Sequence, residues 1–197
     1  LSDNTSSLDH IPYLMKKLPT NYFNKDFFSF VNNSPTPFHC VDFSARLLEK
    51  HDFVELKETQ NWKLDPGKKY FVIRDKGTIC AFKLATSFNR HTPSGFHILG
   101  AHSDSPALQL KPIAEKEGIK YITLGIEVYG GPILSTWMDR EISVAGLVHW
   151  LDKEKTVQTS LFDSKKPVLF IPNIAIHLDR NINSEQKLNS QLHLNPI

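Results

Sequence analysis

From Ala107 onward the chain alternates apolar and polar residues, a period of two that suits half-buried strands. Ala107-Leu108-Gln109-Leu110-Lys111 alternates, and so does the run from Tyr121 to Tyr129. Similar runs lie at 142–150, 156–162 and 168–171, with Gly and Pro between them. The pattern predicts a mostly antiparallel β module over 107–197.

The first half obeys a different period. Residues 1–20 carry no clear pattern and read as a tail. A helix is expected from Asp26, with Phe27, Phe28, Phe30 and Val31 as its apolar stripe. Thr36-Pro37 then signals a helix start, because Pro fits the first turn, where its missing N–H costs nothing. Phe38, Val41, Ala45 and Leu48 follow at helical spacing, so this second helix should run to about Lys50. Residues 70–74 and 78–82 read as a hairpin around Asp75-Lys76-Gly77, with Gly77 supplying the positive φ. After a polar loop at 86–95 comes a short apolar run, 96–101, read as a buried strand that ends at His102. A boundary therefore falls near Pro106, between an α/β part at 1–106 and the β-rich part at 107–197.

Composition limits what such a chain can do. With 197 residues and 40% hydrophobic content it can bury a sizeable core. A net charge of +2 argues against nucleic acid or an acidic membrane as the main partner. No apolar run approaches the roughly 20 residues that span a bilayer. The first residues are polar and lack the apolar stretch of a signal peptide. Cys40 and Cys80 sit among apolar neighbours and are expected as buried free thiols, which fits a reducing, cytoplasmic setting. The absence of an initiator Met suggests a trimmed chain.

His102 and Asp104 are the candidate site. A His at a strand end would point its ring into the crevice where α/β folds bind ligands. Neutral imidazole is a good zinc ligand. A carboxylate two residues on lies on the same side of an extended chain and can accept the other ring N–H, which fixes the tautomer. The competing reading is a strand-end His hydrogen-bonded to a nearby Asp. A zinc site needs three or four ligands, and no second cluster at ligand spacing stands out.

Several ordered segments resemble the M18 family of metallo-aminopeptidases. They are residues 30–39, 61–64 with 69–71, Gly100-Ala101-His102-Ser103-Asp104-Ser105-Pro106, Val128-Tyr129-Gly130-Gly131-Pro132, residues 135–141 and residues 171–183. The resemblance runs from about residue 22 to the end. It implies an α/β zinc-peptidase catalytic domain, of which 1–106 is the N-terminal portion, interrupted by an inserted β domain used in dimerisation. It implies that His102 binds one of two Zn2+ ions and that Asp104 orients it. It further implies that His177, otherwise a strand-end or loop His, helps shape a neighbouring subunit's substrate pocket. Peptide substrates with acidic first residues, and a dimer-based homo-oligomer, a dodecamer, are implied as well. Met138 and Glu141 stand where close relatives have Phe and Asp. Members of the family run to about twice this length, so the remaining ligands and the general base are expected outside this chain.

Two other readings stay open on the residues alone. One is a two-zinc deacylase of N-acyl amino acids, sharing His102 and Asp104 with a different pocket. The other is a non-catalytic assembly module or fragment. The remaining marked residues have structural readings. Trp62, Trp137 and Trp150 read as packing, and His39 as structural. Asp139-Arg140-Glu141 reads as a surface or interface ion pair, and Lys165-Lys166 as a solvated turn.

Overall fold

The computed structural model describes residues 20–89, 95–118, 120–185 and 187–197. The tail expected up to residue 19, and part of the polar loop at 86–95, lie outside the described residues. Helix α1 spans Thr20–Asn32 and starts earlier than its apolar stripe suggests. Within that stripe Phe30 meets Phe43 edge-on at 5.8 Å, whereas Phe28 and Val31 stay exposed. Helix α2, Pro37–Lys50, ends where the pattern places its end. Its start is capped by Thr36, whose hydroxyl accepts the amide of His39 at 3.4 Å, and Pro37 occupies the first turn. His39, Val41 and Ala45 form its buried face.

Three strands follow. Strand β1 (Val54–Glu55) runs parallel to β2 (Lys69–Arg74), which pairs antiparallel with β3 (Thr78–Lys83). Tyr70 and Phe71 bury the centre of this sheet. At the β2–β3 turn the positive φ falls on Asp75 (49°) and Lys76 (57°), and Gly77 has none. Two consecutive positive φ values make a primed turn, which matches the strand twist. Gly77 instead closes the turn, its amide bonding the Arg74 carbonyl at 3.2 Å.

Two further expectations fail in this half. Residues 96–101 form no strand, and Phe96, Ile98 and Leu99 are 85%, 85% and 102% exposed. An apolar run reports a need for burial but does not name the partner, and among the described residues no strand lies beside this one. The thiols are not buried either: Cys40 is half-buried and Cys80 is exposed. Cys80 shares its face of β3 with Phe82, and its cross-strand partner Val72 leaves it open to solvent.

The β module consists of paired segments. β4 (Ala107–Glu117) and β5 (Ile122–Tyr129) form a long antiparallel hairpin from Ala107↔Tyr129 to Glu117↔Ile122. Its register shifts between Leu110 and Glu115, where Pro112 can donate no ladder bond. Opposite the shift lies Gly125. A Cβ there would fall 3.2 Å from the Lys116 side chain and 3.4 Å from the Ala114 carbonyl, so a bare backbone suits the close approach. The expected strand at 142–150 is two strands with different partners. β6 (Glu141–Ile142) pairs with β9 (Leu169–Phe170), and β7 (Ala145–Leu151) pairs with β8 (Val157–Asp163). Short helices α3 (Ile182–Glu185) and α4 (Ser190–His193) interrupt the β pattern. The side chain of Asn189 caps α4 by accepting the amides of Gln191 and Leu192.

The core of this module is Ile126, Ile171 and Leu194, with Trp137, Met138 and Ile142 packed against it. Trp137 thus packs as expected, while Trp62 and Trp150 remain 41% and 47% exposed. The segment after α4 ties two sheets together: the Pro196 carbonyl accepts the Leu124 amide at 2.9 Å, and Ile197 exchanges backbone bonds with Phe170. The expected Asp139-Arg140-Glu141 ion pair does not form among the described residues. The Asp139 carboxylate accepts the Asn173 amide at 2.9 Å, and Arg140 donates to the Thr136 carbonyl at 3.1 Å. Lys165 occupies a turn with φ 55° and pairs with Asp163 at 2.8 Å.

Leu194 is fully buried and anchors the segment after α4, which acts as a strap between the two sheets. Truncating it to Ala should cost about 2–5 kcal/mol, the usual range for a buried Leu. Denaturant titration measures this, and a loss below about 1 kcal/mol would show that the strap does not hold the core.

Candidate active site

His102 and Asp104 lie on the extended segment that leaves residues 96–101 and enters β4. Ser103 fastens this segment from one side, donating its hydroxyl to the Gly77 carbonyl at 3.3 Å. Pro106 fastens it from the other, against Gly130. A Cβ at Gly130 would sit 3.3 Å from the Pro106 ring, and its φ of 73° favours glycine in any case.

The two sequence-predicted residues meet. His102 Nδ1 lies 3.1 Å from Asp104 Oδ1 and 2.9 Å from the Asp104 carbonyl oxygen. Both facing groups are acceptors, so the neutral ring carries its proton on Nδ1. That leaves the Nε2 lone pair uncommitted, which is the tautomer a metal-binding imidazole needs. The ring does not stand at the end of a buried strand, since its side chain is 81% exposed.

A third residue joins the pair. Tyr129, the last residue of β5, donates its hydroxyl to Asp104 Oδ2. The carboxylate is thus held at both oxygens. The Tyr129 hydroxyl foremost, then a backbone amide and the His102 ring, hold the Asp104 carboxyl below the usual carboxylate range. The same hydrogen bond holds the Tyr129 phenol above its usual value. Sequence reading placed Tyr129 inside a matching segment but gave it no role. The signal was the mirror symmetry of the hairpin, which sets the end of β5 beside the start of β4.

Asp104 and Tyr129 border an open groove of about 950 Å³, with Thr36, Phe38, Trp137 and Arg140 among its other walls; His102 does not line it. His177 stands elsewhere, on an exposed turn between Ile176 and Leu178, and no hydrogen bond or ion pair among the described residues joins it to the pair. His39 has the structural role expected of it: 9% exposed, with Nδ1 2.7 Å from the Thr36 hydroxyl. Its burial pushes the imidazole below its ordinary value. Among the described residues no three His, Cys, Asp or Glu side chains converge as a metal site. The chemistry of the one donor still fits: His102 offers a single oriented nitrogen, which zinc would need to share with two or three further ligands.

The class of protein is given by comparison with known families, which places the chain among the zinc metalloproteases. The family model described as Aminopeptidase I zinc metalloprotease (M18) matches residues 30–197, and the chain belongs to that family. It is 39% identical over 174 residues to an aspartyl aminopeptidase of Dictyostelium discoideum, covering 88% of this chain and 36% of that protein. Among solved structures, a cryo-EM structure of an Ape4 and Nbr1 complex matches with a TM-score of 0.82 at 40% identity, over 87% of this chain and 33% of that one. A dodecamer of Saccharomyces cerevisiae mApe1 matches with a TM-score of 0.71 at 31% identity, over 80% and 37%. The chain therefore spans little more than a third of the length of these relatives.

A depressed folded-state pKa fixes the sign of the acid response. The contact made by ionised Asp104 is present above the ordinary carboxylate pKa and is lost as pH falls through the lowered value. Carboxyl-carbon NMR of Asp104 should give a midpoint below that of a free aspartate. A midpoint at or above it would mean that the two-sided clamp is absent in solution.

Proposed function

We propose that this chain forms the N-terminal part of a metallo-aminopeptidase that removes acidic residues, Asp or Glu, from the N-termini of peptides. One observation carries the reading: an imidazole pinned at Nδ1 by Asp104, on a side chain that is 81% exposed. Family membership supports the reaction class, and the aspartyl aminopeptidase of Dictyostelium supports the acidic preference.

His102 is the residue of this chain that would hold zinc, through Nε2. Two zinc ions, when bound, would supply a water of lowered pKa and polarise the scissile carbonyl. Asp104 holds the ring plane and keeps the proton on Nδ1, so Nε2 cannot take up the wrong tautomer. The other ligands and the proton-accepting Glu belong to polypeptide beyond the matched third. Residues 1–106 serve as the start of the catalytic domain and 107–197 as the inserted β domain through which subunits dimerise. His177, on its exposed turn, faces a neighbouring subunit's substrate pocket in this reading. The dodecamer of the yeast relative supports an assembly built from such dimers. The cytoplasm is the setting we infer, and no helix among the described residues is long and apolar enough to cross a membrane.

In the complete enzyme, His102→Ala should abolish peptidase activity and lower zinc content. Full turnover with both metals retained would remove the site assignment. Asp104→Asn should keep the fold while weakening zinc binding or turnover by roughly 10–100-fold; unchanged kinetics would deny it an orienting role. His177→Phe should reduce activity through the assembly or the pocket. A native oligomer with normal kinetics would return His177 to an ordinary surface residue.

A further inference from the structure

The carboxylate that braces His102 is itself braced, and the brace comes from a different part of the chain. We infer that Tyr129 is a positioning residue for the metal ligand: its hydroxyl fixes the Asp104 carboxylate, which in turn fixes the His102 ring. The inference rests on the reading of His102 as a zinc ligand.

Three observations carry it. First, the two Asp104 oxygens are divided between partners, Oδ1 toward His102 Nδ1 and Oδ2 toward the Tyr129 hydroxyl. A carboxylate held only by its neighbour two residues away could rotate about its χ2 torsion, which is broad for Asp. Held at both oxygens, it presents one fixed plane to the imidazole. Second, Asp104 and His102 lie outside the strands, and among the described residues no sheet ladder holds them. The Asp104 carbonyl oxygen, 2.9 Å from His102 Nδ1, shares in holding the ring, but the plane of the Asp104 carboxylate must be set by side chains, and among the described residues Tyr129 brings one from a paired strand. Third, the hairpin register sets Tyr129 opposite Ala107, and Pro106 packs on Gly130 directly beyond it. The mouth of the hairpin therefore fixes where the phenol can reach. Tyr129 as a residue is 41% exposed, so packing alone does not account for its placement. By this arrangement the β module, 107–197, sets the aim of a ligand that belongs to the preceding segment.

The test removes one oxygen. In the complete enzyme, Tyr129→Phe keeps the ring and should weaken zinc affinity roughly 10-fold or more, measured by competition with a chelator of known affinity. It should lower kcat while KM changes little. In the metal-free protein, nitrogen NMR should show His102 losing its single Nδ1–H tautomer, a readout that a purely structural tyrosine would not move. A double-mutant cycle supplies the connection: if Tyr129 acts through Asp104, Tyr129→Phe should have no further effect on zinc affinity in an Asp104→Asn background. Native zinc affinity and an unaltered tautomer in Tyr129→Phe would overturn the inference. So would losses that simply add in the double variant. The two readings separate cleanly. If His102→Ala keeps its zinc, the ligand assignment is wrong. If His102→Ala loses zinc while Tyr129→Phe does not, only the role of Tyr129 falls.

Discussion

The antiparallel pairing of β4 with β5 is the constraint on which the site depends. It begins at Ala107↔Tyr129, immediately after the segment that carries His102 and Asp104. A slip of one residue would send the Tyr129 side chain to the other face of the sheet, because side chains alternate with a period of two. Two local features oppose such a slip. Gly125 admits the bulge of β4, and Gly130 admits the Pro106 ring. Both are close approaches that a larger side chain would block.

The structure also shows a division of labour in burial. The helix α2 and the strands β1–β3 bury His39, Val41, Ala45, Tyr70 and Phe71, while Ile126, Ile171 and Leu194 hold the later strands. The segment between these two clusters carries the exposed apolar residues Phe96, Ile98 and Leu99. The candidate ligand follows directly after them. An apolar run left uncovered is the pattern expected of a surface that meets a partner, and the chain spans only about a third of the length of the relatives it matches.

Much of this was legible from the amino acids. α2 was visible because Thr36-Pro37 is a start signal and its apolar spacing is helical. The β2–β3 hairpin was visible because Asp75-Lys76-Gly77 separates two apolar runs, and the β4–β5 run because alternation is a direct image of the pleat. The His102–Asp104 contact followed from their spacing on an extended chain. What stayed hidden is partner choice. Alternation could not say that Ile142 and Ala145 belong to different pairs, since the change falls at Val144, which exchanges hydrogen bonds with Ser164 just beyond the β7–β8 pair. Tyr129 was hidden for the same reason: its role depends on a residue far away in sequence. The strand expected at 96–101 failed because hydrophobicity alone does not supply a neighbour.

The partner switch at Val144 also orders events in time. β7 and β8 are joined by a tight turn in which Asp152 bonds the Thr156 amide at 2.8 Å, so they can zip locally. β6 and β9 flank that hairpin, and their meeting must close the whole intervening loop. Closure entropy grows with the length of free chain, by on the order of 0.6 kcal/mol for each doubling. Once β7 and β8 have paired, most of that loop is already ordered and its ends lie near each other. The hairpin thus acts as a splint for β6 and β9, and damage to its turn would slow their pairing.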